Sequence, residues 1–434
     1  MNRTMRRIFI HTGLFFGCLT VLYLSLVFSA LIPNKLLREN FKSSALSYAQ
    51  TEAFQFHNGA KWNGIADHYA DTILLNVAWH MGEGNPLTAA VDTDYFDGGE
   101  YGESVGLYLS VTEAAAPNTD YTRYWHGGAM AVRLCHLFTD VDGMKTLGLV
   151  IVLILSSATI GLLYHRGHGD LAVLLLLSLA AIQVWNIRLS LEYQAAFMVT
   201  LALCPLYLIL ERKDDDLLTL LSVVGGVSIA FFDFLTTETL TILLPLILVT
   251  AVRAKEGRLQ PLGESLRLMA GCSLCWGFAY AGTFLVKWTA ATLVTGEDAF
   301  ELAITMAAER VNGAAGLGET SPDSIFSAVF ANLTVLFGGT ERVQMERVIP
   351  GLAVSLGVAG SLWYLLHKKD GNRDAALLLW LLGSVVFVRY LVLNNHSYLH
   401  EFFTYRALAA PVLALLLAVR LNICLPEKRK ARRR

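Results

Sequence analysis

Ten apolar runs, at about 8–30, 146–164, 170–187, 191–210, 217–236, 238–252, 268–290, 347–366, 374–393 and 407–424, limit what this chain can fold into. A hydrocarbon solvent offers no partner to a backbone N–H or C=O, so a run that crosses it must bond within itself as a helix. The composition agrees: 54% of the 434 residues are hydrophobic and only 16% are charged, against about 25% charged in soluble chains. Mean hydropathy is +0.49. These features predict an all-α integral membrane protein with about ten transmembrane helices, the run at 238–252 being the shortest. A net charge of −2 gives no sign of a nucleic-acid partner.

Charge at the joints orients the chain. Arg3, Arg6 and Arg7 precede the first run, which is longer than a usual signal-peptide core and is followed by Pro33-Asn34. It reads as an uncleaved signal anchor (1–30), with a peptide cleaved after the small Ser29-Ala30 pair as the competing reading. Alternate joints then carry Arg166; Arg212 and Lys213; Arg253, Lys255, Arg258 and Arg267; Lys368, Lys369 and Arg373; and the tail 425–434 with Lys428, Arg429, Lys430 and Arg432 to Arg434. The short joints between them are nearly free of Lys and Arg, Arg188 being the main exception. By the positive-inside rule both termini are cytoplasmic, and 31–144, 291–346 and 394–406 lie outside, around a multi-span domain at 145–424. The tail is a topology determinant in contact with anionic lipid. Of the six cysteines, most lie within apolar runs and act as small hydrophobes. Cys272 and Cys275 have redox or zinc spacing but no second ligand pair, and read as structural.

The polar stretch from Leu31 to Asp142 has room for chemistry. Residues 35–56 are predicted as a helix along the membrane surface, with Leu36, Leu37, Phe41, Leu46 and Phe54 among polar positions, and 65–80 as a second amphipathic helix. An acidic, glycine-rich stretch follows, with Asp92, Asp94, Asp97, Glu100 and Glu103. Tyr121 to Gly128 then leads into a helix over 129–138. The second outer segment contains an amphipathic helix at 299–311 and an apolar piece at 325–337.

Several residues here could act on a substrate. Asp67 and Asp71, four apart, would share one helix face, and their repulsion would raise one pKa toward that of a general base. Acids suited to a helix N-terminus are the structural alternative. Arg123 and His126, beside Tyr124 and Trp125, suit an anionic head group, although aromatics beside a span also anchor it at the interface. His396 and His400 have helical metal-ligand spacing but no third ligand, so no metal site is assigned. Arg406 opens the last span and needs a lipid phosphate or an acid as partner, or it snorkels to the interface. Asp233, Glu238 and Lys287 lie near the outer ends of spans, where pairing across helices competes with a functional role. Asn332-Leu-Thr334 and Asn395-His-Ser397 match glycosylation sequons. No Walker loop, dinucleotide fingerprint, Gly-x-Ser-x-Gly elbow or His-Glu-x-x-His motif occurs.

A cytoplasmic N-terminus, one span, a long acidic outer loop and many further spans together resemble the polytopic GT-C-fold membrane glycosyltransferases. In that family an outer-loop acid is the base, and outer-loop cations hold the phosphate of a polyprenyl-phosphate sugar. The resemblance implies Asp67 or Asp71 as base, and Arg123, His126, Lys287, His396, His400 and Arg406 as contacts to phosphate and pyranose. Many such enzymes carry adjacent acids directly after the first span; here Glu39 and Glu52 come first. The stretches Asp67–Asn76, Arg123–His126 and Asn395–His400 are also similar to uncharacterised multi-span proteins of bacteria. The resulting expectation is a glycosyltransferase of the bacterial plasma membrane. It would move a sugar from a polyprenyl-phosphate donor to a glycan, lipid or protein acceptor, with a divalent cation admitted but not required. The alternatives are a transporter or lipid-linked glycan flippase, which needs polar residues at mid-bilayer, and a non-catalytic partner in envelope assembly.

Overall fold

The computed structural model describes residues 3–422, apart from 58, 314–321, 348, 350–352, 354–356, 358, 359 and 362–371. Helix α1 (Arg3–Ala30) leads into the polar stretch. That stretch holds α2 (Asn34–Ala49), α3 (His68–His80), a short α4 (Pro86–Ala89), α5 (Gly102–Glu113) and α6 (Gly128–Cys135). The bundle continues with α7 (Val141–His165), α8 (Gly169–Ala181), α9 (Glu192–Leu210), α10 (Asp215–Phe232), α11 (Leu240–Lys255) and α12 (Leu262–Thr295). Then come α13 (Ala299–Asn312), α14 (Ser327–Leu336), α15 (Arg373–Val392), α16 (Asn394–Leu399), α17 (Glu401–Thr404) and α18 (Ala409–Asn422).

Among the described residues seven helices are long and apolar enough to cross a membrane: α1, α7, α9, α10, α12, α15 and the continuous segment Glu401–Asn422. The chain therefore has the architecture of an all-α, multi-pass membrane protein. Of the other three expected runs, 170–187 forms the 13-residue α8 and a 3-10 turn at Val184–Leu189, and 238–252 forms the 16-residue α11. Both are shorter than the ~20 residues that cross a bilayer upright, and α11 is buried along nearly its whole length among its neighbours. Most of the run at 347–366 lies outside the described residues, as do Lys368, Lys369, Cys424 and the basic tail.

The joints separate to two ends of the bundle. At one end Glu211, fully buried, is held by Arg253 at 3.1 Å and Arg258 at 2.8 Å. Glu256 accepts from His168 at 2.9 Å, and Arg7 pairs with Asp216 at 2.7 Å. At the other end the polar stretch meets the remaining joints. Trp62 donates to the carbonyl of Thr340 at 2.6 Å, Asn186 to that of Asn63 at 3.0 Å, and Asn395 to that of Glu309 at 2.9 Å. The alternation read from the charges is thus present in the packing.

Within the polar stretch one expectation is corrected. Residues 54–56 and 65–67 are strands paired antiparallel, Phe54 opposite Asp67 and Phe56 opposite Ile65, rather than parts of helices. The run Phe-Gln-Phe alternates, and with α2 ending at Ala49 the β ladder gives the backbone groups of 54–56 the partners that a helix would otherwise supply. The helices α13 and α14 occupy their expected places.

Arg133, on α6, fastens this layer to the first span. Its buried guanidinium donates to the carbonyls of Ser29 (2.9 Å), Ala78 (2.6 Å) and Ile32, and to Asn34 Oδ1 (2.9 Å). Burial lowers its pKa only to about 10, so it remains a cation at neutral pH. Gly82 lies against it; a Cβ there would sit 2.2 Å from Asn34 Oδ1 and 2.4 Å from Arg133 Nη2. Replacing Arg133 with Met orphans several buried carbonyls and should destabilise the fold by roughly 3 kcal/mol. Thermal unfolding of the detergent-solubilised protein tests this, with Gly82→Ala expected to shift the midpoint in the same direction. An unchanged midpoint for Arg133→Met would refute the role.

Candidate functional site

The hairpin register delivers Asp67 to the N-cap of α3, where its carboxylate accepts from the Ala70 N–H at 2.8 Å. Asp71, one turn on, points into the bundle and is fully buried. Its Oδ1 accepts from Ser190 Oγ (2.6 Å) and the Leu191 N–H (2.7 Å), and its Oδ2 from the Tyr48 hydroxyl (2.7 Å). Lys145 Nζ on α7 lies 3.0 Å from Oδ2. Both oxygens are committed, so Asp71 joins α2, α3, α7 and the start of α9.

Asp67 is in a different position. Beside the cap it hydrogen-bonds Glu192 at the start of α9, and Glu192 Oε1 has no partner. A hydrogen bond between two carboxyl groups needs one proton, which the pair holds between them. Burial, opposed by the Ala70 N–H and reinforced by the charge of Asp71, pushes the Asp67 carboxyl up to about 7. Glu192 was not singled out from the sequence. Its only signal there was an acid opening an apolar run, the same signal that marked Asp71.

From this pair a ring of contacts closes at the polar end of the bundle. Glu192 lies within electrostatic reach of Asp233, which accepts from the Thr236 N–H at 2.9 Å and so shapes the turn after α10. In that turn the Leu235 carbonyl lies 3.0 Å from His396 Nε2. The rings of His396 and His400 are 4.7 Å apart, and those of His400 and Phe402 6.0 Å. Phe402 meets Phe54 at 5.8 Å, and Phe54 stacks on Tyr69 at 6.2 Å, two residues from Asp67. Two segments far apart in sequence thus reach the neighbourhood of one carboxyl pair.

The segment Tyr121–His126 approaches the same turn from the other side. The Gly127 N–H donates to the Phe231 carbonyl at 2.9 Å, and a Cβ on Gly127 would fall 2.3 Å from the Phe231 ring, so glycine permits the approach. Arg123 lies over the Tyr121 ring at 4.0 Å, and its Nε is buried without a hydrogen-bond partner. Arg310, on α13, lies 5.7 Å from the Tyr124 ring, its Nε likewise unpartnered. His126, at φ 52°, packs its ring 4.7 Å from Tyr121 and 5.0 Å from Phe234.

The three histidines expected to contact phosphate or pyranose carry no charge. Burial, with Lys287 and Arg123 adding to it, holds His126 well below the usual histidine range. Burial and the charges of Arg310, Arg342 and Arg389 lower His400 to about 3, and His396 is lowered for similar reasons. All three are neutral imidazoles at pH 7, donors or acceptors rather than charges, and His126 Nδ1 and His400 Nδ1 have no partner.

Lys287 is fully buried on α12 and donates to the Val91 carbonyl, with Thr93 Oγ1 at 3.3 Å. It anchors the acidic loop, where burial and then Asp92 push the Asp94 carboxyl up to about 7. Arg406, buried on the last span, has no acid in ion-pair range among the described residues. Its guanidinium lies 4.3 Å from the Tyr193 ring and 5.1 Å from that of Tyr405. Its Nη1 donates to the Phe402 carbonyl at 3.2 Å, while Nε and Nη2 have no hydrogen-bond partner. Tyr193 adjoins Glu192 in the chain and lies within electrostatic reach of both Asp67 and Arg406.

Arg389 was missed, although a lone Arg inside an apolar run is a recognisable signal. It forms a bidentate pair with Glu238 at 2.7 and 3.1 Å and donates to Ser397 Oγ at 2.9 Å, which fixes the segment bearing His396. Arg310 was missed because a cation on an amphipathic helix looks like a solvated face. Among the described residues no three His, Cys, Asp or Glu side chains converge as a metal ion would require. The sequon residues Asn332 and Asn395 are buried with their amides bonded to Ser397 and Glu309 carbonyls, which suits packing rather than modification. Comparison of the chain with protein-family models, curated proteins and solved structures finds no significant match.

Asp71→Asn should strand the buried Lys145 and cost about 3–5 kcal/mol. Adding Lys145→Met should recover part of that loss, and a double-mutant cycle of unfolding free energies measures the coupling. Strictly additive effects would show that the pair does not act as a unit.

Proposed function

We propose that the protein is a membrane glycosyltransferase of GT-C type. It moves a sugar from a polyprenyl-phosphate donor to a cell-envelope glycan, lipid or protein acceptor on the outer face of a bacterial plasma membrane. One observation carries the reading: a buried carboxyl pair, Asp67 with Glu192, stands at the polar end of the bundle, with Tyr69 stacked on Phe54 two residues beyond Asp67 and Arg406 over Tyr193, the neighbour of Glu192. The positive-inside rule supports putting the Arg-rich end of the bundle in the cytoplasm, with both termini, and the carboxyl pair outside. A count of ten spans, with the short α8 and α11 among them, is part of the same reading.

The chemistry is a single displacement. Asp67, as carboxylate, takes the proton of the acceptor hydroxyl as its oxygen forms a bond to the anomeric carbon. The bond from that carbon to the donor phosphate oxygen breaks, and the electron pair leaves with the polyprenyl phosphate. Arg123, Arg310 and Arg406 stabilise the phosphate charge, while neutral His126 and His400 offer hydrogen bonds to phosphate or pyranose. Phe54, Tyr69, Tyr121 and Tyr124 give the sugar apolar faces to stack on. One displacement inverts the anomeric centre. Asp71 supports this site through the backbone and the charge it places near Asp67.

Transfer from radiolabelled polyprenyl-phosphate sugars, with the protein in lipid nanodiscs, tests the reading. Asp67→Asn should lower turnover about 10²–10⁴-fold without a large change in thermal unfolding. Undiminished transfer would sink the assignment of the base, and no transfer by the wild-type protein with any donor would turn the reading toward transport or assembly.

The raised Asp67 pKa gives a second test. As a base the group works ionised, so turnover should rise with pH through about 7. Stability should run the other way. The folded chain binds this proton more tightly than an unfolded one, so the group's contribution is fully present below pH ~4 and is lost as pH approaches 7. A flat pH–rate profile between pH 6 and 8, with chemistry rate-limiting, would contradict the role.

A further inference from the structure

A polar cavity lies apart from the carboxyl pair, with Lys145 of the Asp71–Lys145 link in its wall. Its volume is about 350 Å³, and its walls come from α2, the β-hairpin, the first turns of α7 and the 3-10 turn before α9. Lys145, Arg188, His57 and His68 line it, with Asp142 the one carboxylate among them. Lys145 is the cation already bonded to Asp71 behind the wall. Arg188 is exposed and forms no ion pair among the described residues.

The histidines report the field inside. After burial, the charges of Lys145 and Arg188 are what lower the pKa of His57, and Lys145 acts similarly on His68. The His68 Nδ1 lies 2.9 Å from the Glu52 carbonyl and 3.0 Å from Thr51 Oγ1, which leaves Nε2 as the nitrogen able to serve a ligand. The hydroxyl of Thr146 also faces the cavity but already donates to the Asp142 carbonyl at 2.9 Å, which leaves it only acceptor capacity.

The cavity's level in the fold identifies what it would hold. Thr146 stands in the first turns of a membrane span. Val150 and Leu153 follow on the same helix face, at i+4 and i+7, and are 44% and 51% exposed. Trp185, 49% exposed, stands on the same turn as Arg188, where an interfacial aromatic belongs. A polar, cation-lined cavity above an exposed apolar stripe matches a phosphodiester head group above its acyl chains.

We propose that this cavity is a binding site for the phosphodiester head group of an anionic membrane phospholipid, with Arg188 and Lys145 contacting the phosphate and Val150 and Leu153 the acyl chain. The site is independent of the sugar-transfer reading. Free inorganic phosphate shares the head-group chemistry but would not use the apolar stripe, and the test separates the two.

The protein is purified in detergent, supplied with phosphatidylglycerol or phosphatidylcholine, and its retained lipid is counted by native mass spectrometry. Wild type should retain one phosphatidylglycerol in clear preference to phosphatidylcholine. Arg188→Gln should weaken that retention about fivefold, as loss of one surface cation predicts. Because Arg188 is exposed, its lipid-free unfolding midpoint should be unchanged. Val150→Asn/Leu153→Asn should weaken retention of the lipid while leaving binding of inorganic phosphate alone unaffected. Equal retention of both lipids, no effect of Arg188→Gln, or displacement of phosphatidylglycerol by millimolar inorganic phosphate would each overturn the proposal.

Discussion

The polar layer keeps its shape because one carboxylate, that of Asp71, is withdrawn from solvent and made to serve four elements. A fully buried carboxylate is costly unless its lone pairs and its charge are both met. Here the Tyr48 and Ser190 hydroxyls, the Leu191 N–H and the Lys145 ammonium meet them. Moving any one of α2, α3, α7 or the start of α9 leaves a buried charge unsatisfied. Apolar packing between helices is non-directional and tolerates sliding; this junction does not. The loop layer therefore keeps a fixed register on spans that lipid alone would not orient.

That fixed register places Asp67. The junction holds the first turn of α3, and the hairpin opposite Phe54 holds the residue before it. Asp67 is left with one cap bond and one neighbouring acid, Glu192. Two acids one helical turn apart thus have opposite situations, Asp71 saturated by donors and Asp67 sharing a proton. Separation of this kind between neighbouring acids is what acid–base chemistry needs, and it comes from which groups the bundle brings to each oxygen.

The parts of this arrangement legible in the sequence are those set by local periodicity or one-dimensional charge. Apolar run length located the long helices, and the Lys and Arg count at successive joints matched the grouping of joints at two ends. The hairpin at 54–67 escaped notice because three-residue strands hardly alter a hydrophobic pattern. Pairings escaped for another reason. Arg389 and Glu238 are 151 residues apart, and Leu191 and Asp71 are 120 apart; no spacing rule links them. The state of the histidines is not legible in the sequence because a segment rich in polar letters looks wet, whereas His396 is buried and His400 half-buried among α13, α14 and the turn after α10.

Neutral histidines change the electrostatic balance of the candidate site. Had His126, His396 and His400 been cations beside Arg123, Arg310 and Arg389, their mutual repulsion in a poorly solvated space would weigh against the fold itself. Neutralised, they leave the arginines as the fixed positive charges, and an arginine cannot shed its proton to relieve repulsion. A partially unpartnered guanidinium such as that of Arg406, enclosed by Tyr193 and Tyr405, gains most from an anion that brings its own acceptors. An environment that suppresses charge on imidazole, retains it on guanidinium and leaves one carboxyl pair with a single negative charge favours a ligand that is anionic at one end and hydroxylic at the other. A phosphate-linked sugar meeting an alcohol acceptor has that polarity.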